Sequence, residues 1–447
     1  MDSVPNWKDL TWQEKRKIRF DKWLAAEGVE FRDNEARELY RQRVTRFQKV
    51  LDMEEPDRVP CNLPTGYFPA YYAGYDLKTV MNDYEKQRDA WLKFMYDFGD
   101  MDSFAGPGLV LPAPALEIIG HKIHKWPGHG IADDVRSYQF VEGEYMKADE
   151  YDALIRDPSD FWLRYFMPRQ ARAFEPWADF MHLNPMIGLP MGTLLAFSTP
   201  EMKQMFQTIW KAGDEMRKWM EITGEVGRTA LSLGYAAMGG AGFSGAPFDM
   251  LTDMLRGTVG IFMDIYRQPE KIHEAMEHLV PIVIEHAVGN AGNSLSPVVV
   301  MPLHKGEKGF MSPKQFETFY WPSFKKVLLG IIEEGLVPMP FAEGNYIPRL
   351  EVIQDMPHAS MAWYFEFMDM AKAKATVGKD NCIIGNLPIS IVVTGTAAEV
   401  KEGCRKLIED CAPGGGYILS ASASMDHGRI ENLHAMMDAA KEYGVYK

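Results

Sequence analysis

Residues 336–367, LVPMPFAEGNYIPRLEVIQDMPHASMAWYFEF, carry the pattern on which the fold turns. Leu336–Phe341 and Met361–Phe367 are short runs of apolar and aromatic residues, the composition of strands buried on both faces. Between them, Ile347–Met356 spaces its apolar residues as a helix does. Strand, helix and strand in roughly thirty residues make a βαβ unit, whose strands pair in parallel. The alternation runs on in both directions. Pro297–Leu303 (PVVVMPL) reads as a strand followed by a helix over Pro313–Glu334. Further on come a helix over Met368–Val377, a strand at Cys382–Gly385, a helix over Ala397–Cys411, a strand at Tyr417–Ala421 and a last helix over Glu431–Tyr443. Consecutive units of this kind without a glycine-rich nucleotide loop predict a closed (β/α)8 TIM barrel rather than a doubly wound sheet.

Outward from this core the signals thin. Residues 1–50 are charged and helical in pattern and read as an N-terminal extension, leaving 51–447 for the barrel. Residues 121–140 mix Gly, Pro and aromatic side chains and read as a hairpin or lid inserted in a barrel loop. Met186–Ser198 and Ala230–Gly257 are rich in Gly and Met and permit no strand assignment. At 447 residues, with 46% hydrophobic and 25% charged residues, the chain has the composition of a globular protein with a large core. Lys plus Arg is 48 against 62 Asp plus Glu, a net charge of −14, which disfavours nucleic acid or an anionic membrane surface as partner. No apolar run has the length of a membrane span, and MDSVPNWKDLTWQEKRK lacks a signal-peptide core, so a cytoplasmic location is expected. Cys61, Cys382, Cys404 and Cys411 form no CxxC pair and read as small apolar side chains.

In a barrel, polar residues just past the strands face the site. These are His304 and Lys305, Glu343, Glu366, Asn386, and Ser422, Asp426 and His427. One imidazole and two carboxylates on neighbouring strand ends, His304 with Glu343 and Glu366, can hold a catalytic zinc with an open fourth position. The third ligand stays open among His304, His427 and a water. Tyr67, Phe68, Tyr71 and Tyr72 follow the first strand and suit either packing at the mouth or a slot for a flat aromatic ring. His121, His124 and His129 lack an acidic or thiolate partner in the sequence and read as structural. His273, His278 and His286, at offsets of five and eight, make a poor ligand set and read as surface or packing residues.

Four segments, 43–74 (RVTRFQKVLDMEEPDRVPCNLPTGYFPAYYAG), 311–335 (MSPKQFETFYWPSFKKVLLGIIEEG), 385–422 (GNLPISIVVTGTAAEVKEGCRKLIEDCAPGGGYILSAS) and 431–444 (ENLHAMMDAAKEYG), resemble the uroporphyrinogen decarboxylase superfamily. The resemblance implies a (β/α)8 barrel with its site at the C-terminal ends of the strands. The decarboxylases carry an arginine-rich first loop of the form RQAGRYLPEY for the carboxylates of their substrate. Here Asn62 and Gly66 stand at the arginine positions while Pro69 and the tyrosines match, so decarboxylation of a porphyrinogen is not expected. The other large branch consists of zinc-dependent methyltransferases that exchange a methyl group with a corrinoid. Their His-x-Cys-Gly-Asn stretch aligns with Phe341-Ala342-Glu343-Gly344-Asn345, and their late cysteine falls near Ala423. Glu343 thus takes a cysteine ligand's place, a harder donor that leaves the metal a stronger Lewis acid.

The resemblance therefore implies a methyltransferase that moves the methyl group of an aryl methyl ether, a methoxylated phenol, to Co(I) of a separate corrinoid protein. Zinc on His304, Glu343 and Glu366 serves as Lewis acid. Tyr67, Phe68, Tyr71, Met238, Phe248 and Asn386 are the expected substrate contacts, Met238 and Phe248 because their stretches occupy the superfamily's substrate-facing loop. No Asp-x-His-x-x-Gly corrinoid loop is found in the sequence, so the corrinoid (cobalamin) is expected on a partner. The alternatives are a cofactor-independent lyase or decarboxylase of another small acid, with Asp249 or Asp426 as proton donor, and a barrel kept as a binding subunit. A homodimer is compatible with all three.

Overall fold

The computed structural model describes residues 6–63, 65–180, 191–292 and 294–446; Met186, in the Met-rich stretch noted above, lies outside them. Two helices precede the sheet, α1 (Trp12–Ala25) and α2 (Asn34–Leu51). Thr11 opens α1 with a reciprocal capping box to Glu14, and Asp33 caps α2 through the Ala36 N–H.

The first barrel strand, β1 (Cys61–Asn62), is short. A small inserted sheet follows, made of β2 (His124–Pro127), β3 (Gly130–Ile131) and β4 (Gln139–Phe140), with β2 antiparallel to β4. The remaining strands are β5 (Val298–Leu303), β6 (Val337–Asn345), β7 (Ala362–Phe367), β8 (Cys382–Ile384) and β9 (Tyr417–Ser420). They form a six-stranded parallel sheet in the order β1-β9-β8-β7-β6-β5.

Where eight regular strands were expected, the described residues therefore form six. Isolated parallel bridges carry the curl onward, Phe243 to Val300 and Ser103 to Ala236, and the Cys61 N–H donates to Asp102 beside Ser103. The cause is local. Gly239 has φ +87°, and a Cβ there would lie 2.6 Å from Val300, so the chain touches β5 closely without running extended beside it. Two expected helices also differ in form. Pro313–Glu334 is interrupted by a π-turn at Phe316–Tyr320, and Ile347–Met356 shortens to a 3-10 turn and the helical turn Leu350–Ile353. Residues 200–232 form one helix.

Strand side chains alternate between two faces, and the packing follows that period of two. Val299, Met301, Leu303, Trp363, Phe365, Ile383, Tyr417 and Leu419 pack against the surrounding helices. Val298, Val337, Met339, Ala362, Tyr364, Cys382, Ile384 and Ile418 face inward, joined there by Phe20, Trp23, Tyr40 and Phe47 of α1 and α2. The two N-terminal helices plug the end of the barrel at which the strands begin. Arg16 fixes the plug, donating from Nη2 to the carbonyls of Leu336 and Ser360 (both 2.7 Å) at the starts of β6 and β7. All four cysteines are buried thiols, and among the described residues no helix is long and apolar enough to cross a membrane.

Candidate functional site

Continued past the strand ends, the inward series place His304 after β5, Glu343 near the end of β6, Glu366 in β7 and Asn386 after β8. Each has the parity of the inward-facing residues of its strand, so all four open onto the mouth opposite the helical plug.

His304 is the best-anchored of them. Its Nδ1 lies 2.5 Å from Asp253 Oδ2, and its Nε2 lies 3.7 Å from Glu343 Oε1. Lys305 Nζ is 3.4 Å from the other oxygen of Asp253. Asp253 sits in the π-helical turn Met250–Arg256, a form of helix often found at functional sites. One turn earlier, Asp249 is 5% exposed and accepts from the backbone N–H groups of His304 (3.0 Å) and Lys305 (2.9 Å) and from the Tyr320 hydroxyl (2.6 Å). Asp249 thus fixes the loop that presents His304, and these three donors engage its carboxylate.

The charges perturb one another. The hydrogen bond to Asp253 pushes the His304 pKa up to about 9 against the opposing effect of burial. Burial, with the nearby Asp253 charge, pushes Asp249 up to about 6. Glu343 is raised by burial and by the neighbouring carboxylates Glu366, Asp249 and Asp253, with His304 opposing. Strongly shifted groups gathered at the strand ends of a barrel mark a site rather than a surface.

The structure sorts the expected metal donors unevenly. His304 and Glu343 face each other, and an imidazole whose other nitrogen is held by a carboxylate is a common second-layer arrangement around metals. Glu366 instead accepts from the Gly344 N–H at 2.6 Å. Among the described residues no three His, Cys, Asp or Glu side chains gather as a metal-holding group. The pair suits two positions of a zinc ion, but the expected three-donor set is not assembled. His427 is exposed and lies beside Asp426.

The aromatic run divides in the same way. Tyr67 and Tyr71 stay at the mouth, Tyr67 with its ring 6.4 Å from Tyr138 of the inserted hairpin and Tyr71 under the Arg136 guanidinium. Tyr138, which the sequence reading missed, thus stands at the mouth beside Tyr67. Phe68 is 3% exposed, stacked on Tyr72 and edge-on to Phe94, and Phe248 is fully buried against Phe262 and Tyr320. These two expected contacts are core residues; the wall behind the site needed their volume. Met238 is half-buried against the inward-facing cluster. Asn386 donates to the Glu366 and Met368 carbonyls and fixes the end of β7. Gly66 has a steric reason as well: a Cβ there would lie 2.5 Å from Asp426 Oδ1, the atom that accepts from the Tyr67 N–H at 3.0 Å.

Residues 201–443 match the family model described as uroporphyrinogen decarboxylase (URO-D). The chain belongs to the uroporphyrinogen decarboxylase family. It is 25% identical to the uroporphyrinogen decarboxylase of Danio rerio over 219 residues, 45% of this chain and 56% of that one. To the uroporphyrinogen decarboxylase of Thioalkalivibrio sulfidiphilus (strain HL-EbGR7) it is 22% identical over 213 residues, 46% of this chain and 59% of that one. The match thus spans under two thirds of these relatives. In three dimensions the chain is similar to a methyltransferase from Methanosarcina mazei, with a TM-score of 0.54 over 89% of this chain and 98% of that one. At 14% identity this is a likeness of fold. Within the uroporphyrinogen decarboxylase family, this member has a mouth lined by carboxylates, an imidazole and tyrosines.

Proposed function

We propose that the protein is a methyltransferase that takes the methyl group of an aryl methyl ether and delivers it to Co(I) of a separate corrinoid protein. The observation that carries this reading is the His304–Glu343 pair, backed by Asp253, beneath a mouth of tyrosines. Demethylation of an ether demands stabilisation of the departing phenolate, and the site concentrates its strongest electrostatics at one point for that purpose. His304 and Glu343 would hold the zinc ion, which when bound supplies Lewis acidity to the ether oxygen. Asp253 keeps the Nδ1 proton in place and turns Nε2 toward Glu343. Asp249, itself held by the Tyr320 hydroxyl, holds the His304 backbone, so the imidazole has little freedom to turn away. Tyr67, Tyr71 and Tyr138 supply the flat walls for the ring.

No side chain in the site is a nucleophile strong enough for an ether methyl, so the corrinoid partner performs the attack. The test mixes the purified protein with a methoxyphenol, with and without a reduced corrinoid protein. Methyl-cobalt and free phenol are expected together, and only in the complete mixture. Demethylation without corrinoid, or none with any paired corrinoid protein, removes this reading. The alternative is a lyase acting on another small acid, and the observation in its favour is Asp426, whose pKa burial raises at the mouth. Carbon dioxide release without any partner would support it.

A further inference from the structure

Resting on the aryl ether reading, we propose that the site takes its donor as a ring without a carboxylate, and that Asp426 sets this specificity.

The argument begins with where the positive charge at the mouth is spent. Lys305 and the Nδ1 side of His304 both face Asp253, and the Lys305 ammonium also lies over the Phe310 ring. Arg136 sits on the face of Tyr71. The carboxylates are less well matched. Among the described residues Glu343 has His304 alone as ion-pair partner, and neither Glu366 nor Asp426 has a Lys or Arg partner. Asp426 is held by a backbone N–H, that of Tyr67, with its Oδ1 in the space that any side chain at position 66 would need. The loop after β9 therefore lays a carboxylate against Gly66, a position at which the decarboxylase relatives, by resemblance, carry arginine. Tyr138 stands at the same mouth, its ring 6.4 Å from that of Tyr67, whose N–H binds Asp426.

A methoxybenzoate entering between the tyrosines brings a further negative charge into a partly desolvated space beside Asp426, which has no Lys or Arg partner among the described residues. Repulsion between like charges several ångströms apart in such a setting weakens binding by about tenfold or more. A methoxyphenol or dimethoxybenzene, uncharged near neutral pH, meets no such barrier and keeps the aromatic contacts. The selection acts through exclusion of the wrong ligand as well as attraction of the right one.

The experiment measures binding by calorimetry of 2-methoxyphenol and of 4-hydroxy-3-methoxybenzoate to the unaltered protein, and then turnover of each with a reduced corrinoid protein. The uncharged ether is expected to bind at least about tenfold tighter. Asp426→Asn, which keeps an acceptor for the Tyr67 N–H, should shrink that ratio toward one. Raising the ionic strength should narrow it in the unaltered protein too, a readout that does not depend on the variant folding. Equal or tighter binding of the benzoate, or a ratio unmoved by both the variant and salt, overturns the proposal. Preferential binding of the uncharged ether without methyl transfer supports it and counts against the methyl-transfer reading alone. Binding of neither ether overturns both.

Discussion

His304 faces two demands that compete. Its bond to Asp253 holds the proton up to about pH 9, whereas a metal at Nε2 needs the imidazole neutral. The sign follows: below about pH 9 a proton must leave before zinc enters. Zinc affinity, measured by chelator competition, should rise about tenfold per pH unit up to that point and then level off. Asp253→Asn should bring the imidazole back toward its ordinary range in an NMR titration and flatten the zinc curve. Glu343→Ala should lose most of the zinc, and full occupancy in that variant would remove Glu343 from the ligand set. Of these residues, His304, Glu343 and Glu366 are legible in the sequence because each follows the inward parity of an apolar run. Asp253 is not. It precedes His304 by 51 residues and reaches it through a π-turn that no spacing rule signals. Phe68 and Phe248 mislead because an aromatic residue near a strand end does not say whether its ring fills the mouth or the wall.

The inserted hairpin is the element most exposed to pH. His121 Nε2 and His124 Nδ1 lie 2.8 Å apart with their rings nearly parallel, a contact that a second proton would break. Burial, with the neighbouring imidazoles of His124 and His129, lowers the His121 pKa to about 4. An unfolded imidazole titrates near 6.5, so the unfolded chain binds the proton more readily. The hairpin's stability is full above about pH 6.5 and is lost as pH falls toward 4, by on the order of 3 kcal/mol. Urea unfolding at mildly acid and at neutral pH should show the loss, and His121→Gln should abolish most of the difference. The strands were more readily read than this element. β5 to β9 fall within a residue or so of the expected runs, except that β6 continues to Asn345. Residues 236–243 escaped because a chain that approaches β5 through glycines makes bridges rather than a ladder, and leaves no alternating pattern to find.

At the scale of the whole molecule, the plug formed by α1 and α2 stabilises the barrel from the end opposite the site. Arg16 is 4% exposed, and its guanidinium serves the carbonyls of Leu336, Ala359 and Ser360. Arg16→Leu removes those donors while leaving the acceptors buried. At about 1–3 kcal/mol for each unsatisfied group, a loss of several kcal/mol is expected in chemical denaturation. Turnover at low temperature should change far less, because Arg16 bonds the starts of β6 and β7, the ends away from the mouth. The same plug imposes an order on biosynthesis. Lys15 donates to the Glu333 carbonyl, 318 residues later in the chain. At ribosomal rates of about 5–20 residues per second, the first helices leave the exit tunnel roughly 15–60 s before their docking surface exists. Through that interval Phe20, Trp23 and Phe47 have only one another and none of the barrel to cover them, so the nascent amino-terminal segment is the stretch on which a ribosome-associated chaperone would be found waiting.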